Sequence, residues 1–400
     1  MTTLPGAWRR AAGGAGLLSS DGVVAPTIFA EMSALAASTG AINLGQGYPD
    51  EDGPAEVLEA ARQAIADGAN QYPPGRGIPR LREAVADHQR RFYGVHLDPE
   101  REVIITAGAT EALAATVLAL VDSPDDEVVV FEPYYDAYAA LVALAGARLV
   151  PVPLEWPLFQ PDLDRLESAV TDRTRLIIVN DPHNPTGAVF DAEVRERIVA
   201  LAERHDAIVV TDEVYEHLRF GTPHVPIATL PGARERTLAI SSAGKTFSVT
   251  GWKIGWLSGP EPLVTAVLAV KQFLTYVNGS PFQPAVAAGL RLPDAFFTGI
   301  ADEMRRKRDL LGSGLRLAGF DVGVPSGSYF TVADAAPLGV TDAVAFCRAL
   351  PERTGVVAIP LTAFVSPEHR GRYATMVRFA ACKRPGVLRR AGAALAGLRP

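Results

Sequence analysis

An α/β fold, with a large domain built on a mostly parallel sheet between helices and a smaller α+β domain, is predicted by three observations. Between about residue 50 and residue 290, helix-like stretches alternate with short β-branched runs, the pattern of a sheet whose strands are joined by helices. Those runs are nearly continuous in apolar residues, as strands covered on both faces must be. After residue 290 the texture changes to a long charged helix, a Gly-rich segment and short strands.

In chain order, residues 1–24 carry Arg9, Arg10, glycines and alanines without a continuous apolar segment, and are expected to form a flexible tail. Residues 25–50 are expected to join the small domain, residues 51–295 to form the large domain, and residues 296–400 to complete the small one. Pro54 opens and Gly68 closes a helix over Ala55–Asp67, and Gly146 ends one over Tyr134–Ala145. Strands are expected at Val103–Thr106, Val128–Phe131, Leu176–Asn180, Ile208–Thr211 and Leu238–Ser241. Beyond them come a helix over Thr298–Ala318 and short strands around Tyr329–Val332, Val356–Ile359 and Met376–Ala380.

Composition narrows the function. A chain of 400 residues with 48% hydrophobic content can bury a large core, and a formal net charge of -7 leaves no basic footprint for nucleic acid or anionic lipid. The cluster Arg305-Arg306-Lys307-Arg308 lies among Asp302, Glu303 and Asp309, which points to a solvated helix face. Cys347 and Cys382 are too few for a disulfide framework, and the seven histidines lack HxxxH or HExxH spacing, which argues against a protein-bound metal. No apolar run approaches the ~20 residues of a membrane span. A cytoplasmic enzyme without nucleic-acid or membrane partners is expected.

Ligands of an open α/β sheet bind outside the carboxyl ends of its strands. Each expected strand of the large domain is followed by a polar cluster: Thr106–Glu111, Glu132–Tyr135, Asp181–Gly187, Asp212–Tyr215 and Ser242–Lys245. Lys245 is the first lysine of the chain, all earlier long basic side chains being arginine. Guanidinium stays protonated at any working pH, whereas an amine can form a Schiff base with an aldehyde or ketone. Gly108 at a helix start lets backbone N–H groups approach a phosphate, or marks a tight turn capped by Thr110. Asp212 ends an apolar run, so its carboxylate needs a cationic partner: a protonated pyridine nitrogen or an arginine. Neither Gly45-Gln46-Gly47 nor Gly75-Arg76-Gly77 continues to a third glycine, so a dinucleotide fingerprint is not supported.

From Gly45-Gln46-Gly47-Tyr48-Pro49 through Val377-Arg378-Phe379, the chain resembles the class I aminotransferases among the fold-type I pyridoxal-phosphate enzymes. Leu44–Asp50, Pro182–Gly187, Gly251–Trp256 and Tyr276–Ala285 look most like the kynurenine aminotransferase and N-succinyldiaminopimelate aminotransferase branch. The resemblance implies an aspartate-aminotransferase-like fold in which Lys245 holds pyridoxal 5′-phosphate and moves the substrate proton. It implies that Asp212 pairs with the pyridinium nitrogen, that Asn184 and Tyr215 bind the ring oxygen, and that Tyr135, or Tyr134 if the turn is shifted, stacks on the ring. Gly108, Ala109, Thr110, Ser242 and Lys253 match the phosphate cup. Tyr72 matches a tyrosine that reaches the phosphate from the neighbouring subunit, which implies a homodimer.

On the substrate side, Arg378 matches the arginine that clamps the α-carboxylate. Gly47 and Asn184 are implied to bind the substrate as well, and Gln46, Tyr48, Tyr276, Asn278 and Ser328–Phe330 match the side-chain pocket. Gly244 departs from a position where the family often has serine or alanine. The implied reaction is transamination between an amino acid and a 2-oxo acid, with glutamate and 2-oxoglutarate as one pair. The partner pair would be N-succinyldiaminopimelate-like, aromatic or kynurenine-like. The alternative is a carbon–sulfur β-lyase acting on cysteine S-conjugates, which shares every cofactor contact.

Overall fold

The structure, a computed structural model, describes residues 4–398. Its centre is an eight-stranded sheet in the order Val103–Thr106, Gly255–Ser258, Thr237–Ser242, Ile208–Asp212, Thr174–Asn180, Glu127–Glu132, Arg148–Glu155 and Gln160–Pro161. The strands from Thr237–Ser242 to Arg148–Glu155 run parallel to one another. Side chains alternate across the strands. Val128, Val130, Leu176, Ile178, Val210, Leu238 and Ile240 pack into one apolar core. Val129, Phe131, Ile177, Val179 and Val209 pack on the opposite face, in a core that continues into Leu311, Val332 and Val377 of the small domain.

Three strands of this sheet have no counterpart among the expected ones, the shortest being Gln160–Pro161. Arg148–Glu155 contains Pro151 and Pro153, which argue against a strand in sequence. Gly255–Ser258 is four residues long and runs antiparallel to both neighbours, so Gly255 lies opposite Thr106 on one side and Ser242 on the other. A Cβ at Gly255 would lie 2.6 Å from the carbonyl carbon of Gly108, so the missing side chain lets these two strand ends approach.

The helix expected from Tyr134 starts at Asp136, which leaves both tyrosines in the turn above the sheet. In the small domain, Asp321–Val322, Phe330–Asp334, Met376–Ala380 and Ile359–Pro360 form an antiparallel sheet. The run expected over Val356–Ile359 breaks at Ala358, because Val356–Val357 instead pairs with Ile42–Asn43. That pairing attaches the segment after the N-terminus to the small domain. The long helix is Asp294–Ala318.

Two expectations are corrected. The segment 1–24 is not a loose tail where it is described: Trp8–Gly14 is a helix laid on Asp136–Ala145, with Arg10 donating to the Leu144 carbonyl at 3.3 Å. Gly14 permits that contact, since a Cβ there would come within 2.5 Å of Ala143 Cβ. Residues 1–3 lie outside the described residues. The cluster 305–308 is solvated only in part. Arg305 and Arg306 are exposed, but Lys307 is buried and pairs with Glu51 and Glu303, and Arg308 donates to the Pro325 carbonyl while stacking over Phe220. Helical periodicity puts Lys307 on the inward stripe of Leu311 and Leu315. Among the described residues no helix is long and apolar enough to cross a membrane.

Candidate active site

The parallel strands end at a cavity of about 280 Å³. Gly108, Ala109, Thr110, Tyr135, Asn184, Asp212, Tyr215, Ser242, Lys245 and Lys253 all line it. Asn180 lines it too, and was not singled out from sequence. Its signal was available: like Asp212, it is a polar residue closing an apolar strand.

Lys245 sits on the short helix Ala243–Thr246 directly after its strand. Its Nζ donates to the Gly47 carbonyl at 3.2 Å and lies 5.8 Å from the Tyr329 ring centre. Burial pushes the amine pKa below its ordinary value, which favours the neutral nucleophile.

Asp212 is buried at the end of Ile208–Asp212. The donors that reach its carboxylate among the described residues are neutral: Tyr138 Oη at 2.7 Å and the Val214 amide at 3.4 Å. Burial raises its pKa to about 6, against the opposing bond from Tyr138. Asn180 holds the Asp212 carbonyl at 2.7 Å through Nδ2 and receives the Asn184 amide at 2.6 Å on Oδ1, which ties two strand ends together. Tyr138 was also missed from sequence, because its direction depends on where the helix after the tyrosine pair begins.

Tyr135 faces the cavity, whereas the Tyr134 amide donates to the Phe364 carbonyl at 2.9 Å. Of the two tyrosines, Tyr135 is the one that lines the cavity. Tyr215 is buried edge-on to Tyr329, and burial pushes its phenol pKa well up.

Opposite Lys245, Gly108 begins the helix Gly108–Leu120 with φ +72°, and a Cβ there would stand 3.1 Å from Lys253 Nζ. Lys253, itself at φ 53°, donates to Thr110 Oγ1 at 3.4 Å, while Asn278 Nδ2 holds the Lys253 carbonyl at 2.8 Å and the Thr106 carbonyl at 3.2 Å. A helix N-terminus, a lysine and the hydroxyls of Thr110 and Ser242 form a cradle suited to an anion.

Arg378 approaches from the small-domain strand Met376–Ala380 and does not line the cavity itself. It reaches it through Asn184, donating to Oδ1 at 3.1 Å, and through Gly45, whose carbonyl it meets at 2.6 Å. Its guanidinium stands 4.1 Å from the Phe330 ring centre, 4.6 Å from Phe364 and 5.4 Å from Phe29, and burial lowers its pKa to about 10. Its Nε has no hydrogen-bond partner among the described residues. The Gly47 carbonyl takes bonds from both Lys245 and Tyr329, and a Cβ there would meet Phe330 at 2.6 Å.

Several expected residues do not line this cavity, among them Gln46, Tyr48, Tyr72 and Tyr276. Gln46 turns toward the helix Ile28–Thr39, donating to the Phe29 carbonyl at 3.1 Å and Ser33 Oγ at 2.6 Å. Tyr48 is half exposed under the Lys383 ammonium, 4.4 Å from its ring centre. Tyr72 is 83% exposed, packs edge-on to Tyr276 at 5.9 Å and borders a separate surface pocket with Asn278 and Ser280.

This geometry has close parallels. A family model described as aminotransferase class I and II matches residues 39–382. The probable N-succinyldiaminopimelate aminotransferase DapC of Mycobacterium tuberculosis is 52% identical over 373 residues, covering 91% of this chain and 94% of that protein. A solved N-succinyldiaminopimelate aminotransferase from the same organism superposes with a TM-score of 0.91 at 52% identity, covering 94% of this chain and 97% of that one. The methionine aminotransferase of Escherichia coli is 40% identical over 339 residues, 84% of this chain and 88% of that protein. Kynurenine–oxoglutarate transaminase 3 of Rattus norvegicus is 36% identical over 392 residues, 90% and 86% respectively.

Proposed function

From the premise that the chain belongs to the class I and II aminotransferases and is a transaminase, we propose that the Lys245 cavity takes pyridoxal 5′-phosphate and serves an amino acid and a 2-oxo acid in turn. The observation that carries this reading is Asp212, a buried carboxylate with neutral donors, in one cavity with the Lys245 amine. A group bearing a protonated ring nitrogen and an aldehyde supplies the partner that each lacks. The cradle of Gly108, Ala109, Thr110, Ser242 and Lys253 suits its phosphate. When bound, the cofactor supplies an aldehyde for amines and a ring that accepts the electron pair left at the substrate Cα.

The chain's own residues do the rest. Lys245 anchors the group and, as a free amine, removes and returns the Cα proton. Its lowered pKa supports both tasks. Asp212, fixed by Tyr138, keeps the proton on the ring nitrogen. Tyr215 and Asn184 would hold the ring oxygen, and Tyr135 would cover one ring face. Arg378 receives the substrate carboxylate on its guanidinium and so fixes which Cα bond faces Lys245. Exposed Tyr72 completes the phosphate site of a second subunit in a homodimer.

For one substrate pair we propose glutamate and 2-oxoglutarate. For the other we propose an N-succinyldiaminopimelate-like donor, in line with the 52% identical relative. The test is a screen of amino donors, including methionine and kynurenine, for conversion of the bound aldehyde form to the amine form, followed by regeneration with 2-oxoglutarate. Conversion by the acyl-diamine donor is expected, and conversion by no donor would sink the reading. Pyruvate release from a cysteine conjugate without any 2-oxo acid would instead mark the β-lyase. Borohydride reduction should fix the cofactor mass on the peptide containing Lys245.

A further inference from the structure

Beneath the turn that carries Tyr215, away from the cavity, lies a cluster the proposed reaction does not use. His88, on the helix Pro79–Tyr93, faces His217 with their Nε2 atoms 2.7 Å apart. Glu216 joins them, and the ligand-type atoms of all three lie within 4.8 Å of one another. His88 and Glu216 are buried, and His217, partly exposed as a residue, turns its ring inward to meet them. Phe92 and Phe297 wall the two imidazoles, with ring centres 4.8 and 4.9 Å from His88 and His217 for Phe92 and 4.4 Å from His217 for Phe297.

The charge balance of this cluster is unusual. Glu216 is held by neutral donors, Ser241 Oγ at 2.6 Å, Gln89 Nε2 at 3.5 Å and Tyr93. A buried carboxylate without a paired cation is costly, and here it borders two imidazoles whose Nε2 atoms hydrogen-bond to each other, a pair that a cation would part. Two imidazoles and a carboxylate are the borderline donor set that selects zinc-type divalent ions. Zn–N bonds of about 2.0–2.1 Å put tetrahedral ligand atoms roughly 3.4 Å apart, so the pair would open by about 0.7 Å. His217 lies on an irregular turn between Ile208–Asp212 and Ile227–Thr229, and its side chain would make that shift.

We propose that His88, Glu216 and His217 form a site for a zinc-type divalent cation, with water completing its shell, that fastens the helix Pro79–Tyr93 to the turn bearing Tyr215. The site is independent of the substrate reading above. It escaped the sequence scan because the histidines are 129 residues apart. Only folding brings them together.

The test uses untagged full-length protein carrying its cofactor, produced in metal-depleted medium supplemented with Zn²⁺ or with Co²⁺, then dialysed against metal-free buffer. One retained equivalent per chain and the visible bands of tetrahedral Co²⁺ are expected. Both should disappear in His88→Gln and His217→Gln and persist in His205→Gln, whose imidazole pairs with Asp172 elsewhere on the surface. Absence of retained metal in the unsubstituted protein overturns the proposal without recourse to a variant. So does metal that survives both substitutions, since it then belongs to another site or to the cofactor.

Discussion

Lys245 and Arg378 approach the same glycine-rich segment, Gly45–Gly47, from different sheets, and the protein holds them in opposite ways. Lys245 makes one hydrogen bond, at 3.2 Å, from a helix of four residues. Arg378 is set in a central small-domain strand by two hydrogen bonds and three aromatic rings. An ammonium on a four-carbon stem keeps rotamer freedom worth up to ~2 kcal/mol, whereas a caged planar fork has surrendered its freedom before any ligand arrives. The difference teaches that one cation is built to move and the other to wait, and that each depends on its chemical type rather than on its charge.

Swapping charge for charge breaks the comparison most directly. Lys245→Arg keeps a cation but removes the amine, and we expect turnover to fall by at least ~10²–10⁴-fold, measured as single-turnover formation of the amine form. Retention of activity would remove Lys245 from the chemistry.

The next effect concerns the anion on the Lys245 side. Asp212 has a folded pKa of about 6 against an ordinary 3.8, so the folded cofactor-free protein holds an extra proton between those values. Stability from that proton is fully present below pH 4 and is lost as the pH rises through about 6, in all about 3 kcal/mol. Cofactor-free Asp212→Asn should therefore resist urea better than its parent at pH 8, by up to that amount, and no better at pH 4, while losing activity. Equal stability of the two proteins at pH 8 would mean that the carboxylate already has a cationic partner.

Arg378→Lys tests the other half. Loss of the two-pronged donor should raise KM for the amino acid by roughly 10–100-fold with a smaller change in kcat, since a charged hydrogen bond is worth about 1.5–3 kcal/mol. A fall in kcat alone would place Arg378 with the chemistry instead. The smallest effect is expected at Tyr72, where Tyr72→Ala should weaken cofactor binding about tenfold, as for one hydrogen bond to a charged group. Hybrids of Tyr72→Ala with Lys245→Ala subunits should regain one intact site, read as activity at limiting cofactor. A hybrid no better than its parents would confine Tyr72 to its own subunit.

Much of the cavity was legible in sequence because a polar residue at the end of an apolar run emerges at the sheet edge, although Lys253 follows no such run and Asn180 was passed over. Lys245, Asp212, Asn184 and Gly108 needed no more than that. Gln46 was misjudged because its amide answers to Phe29 and Ser33 on a helix packed from outside the motif. The strand Gly255–Ser258 was hidden inside the lysine motif, too short to show alternation, and Arg148–Glu155 was masked by its prolines. Lys307 was misread for the complementary reason: charge suggested solvent, but its position on the helix stripe sent it inward to Glu51.

Gly255 has a consequence for what mutation can do to this enzyme. It lies opposite the last residues of two strands whose following turns build the cradle, and its Cα hydrogen occupies the place where a methyl would strike Gly108. A saturation library at this position, selected for growth with the enzyme's product withheld, should return glycine almost alone. In such a map Gly255 would be as intolerant as Lys245, though it carries no functional group, so a list of forbidden substitutions here would record spacing as well as chemistry.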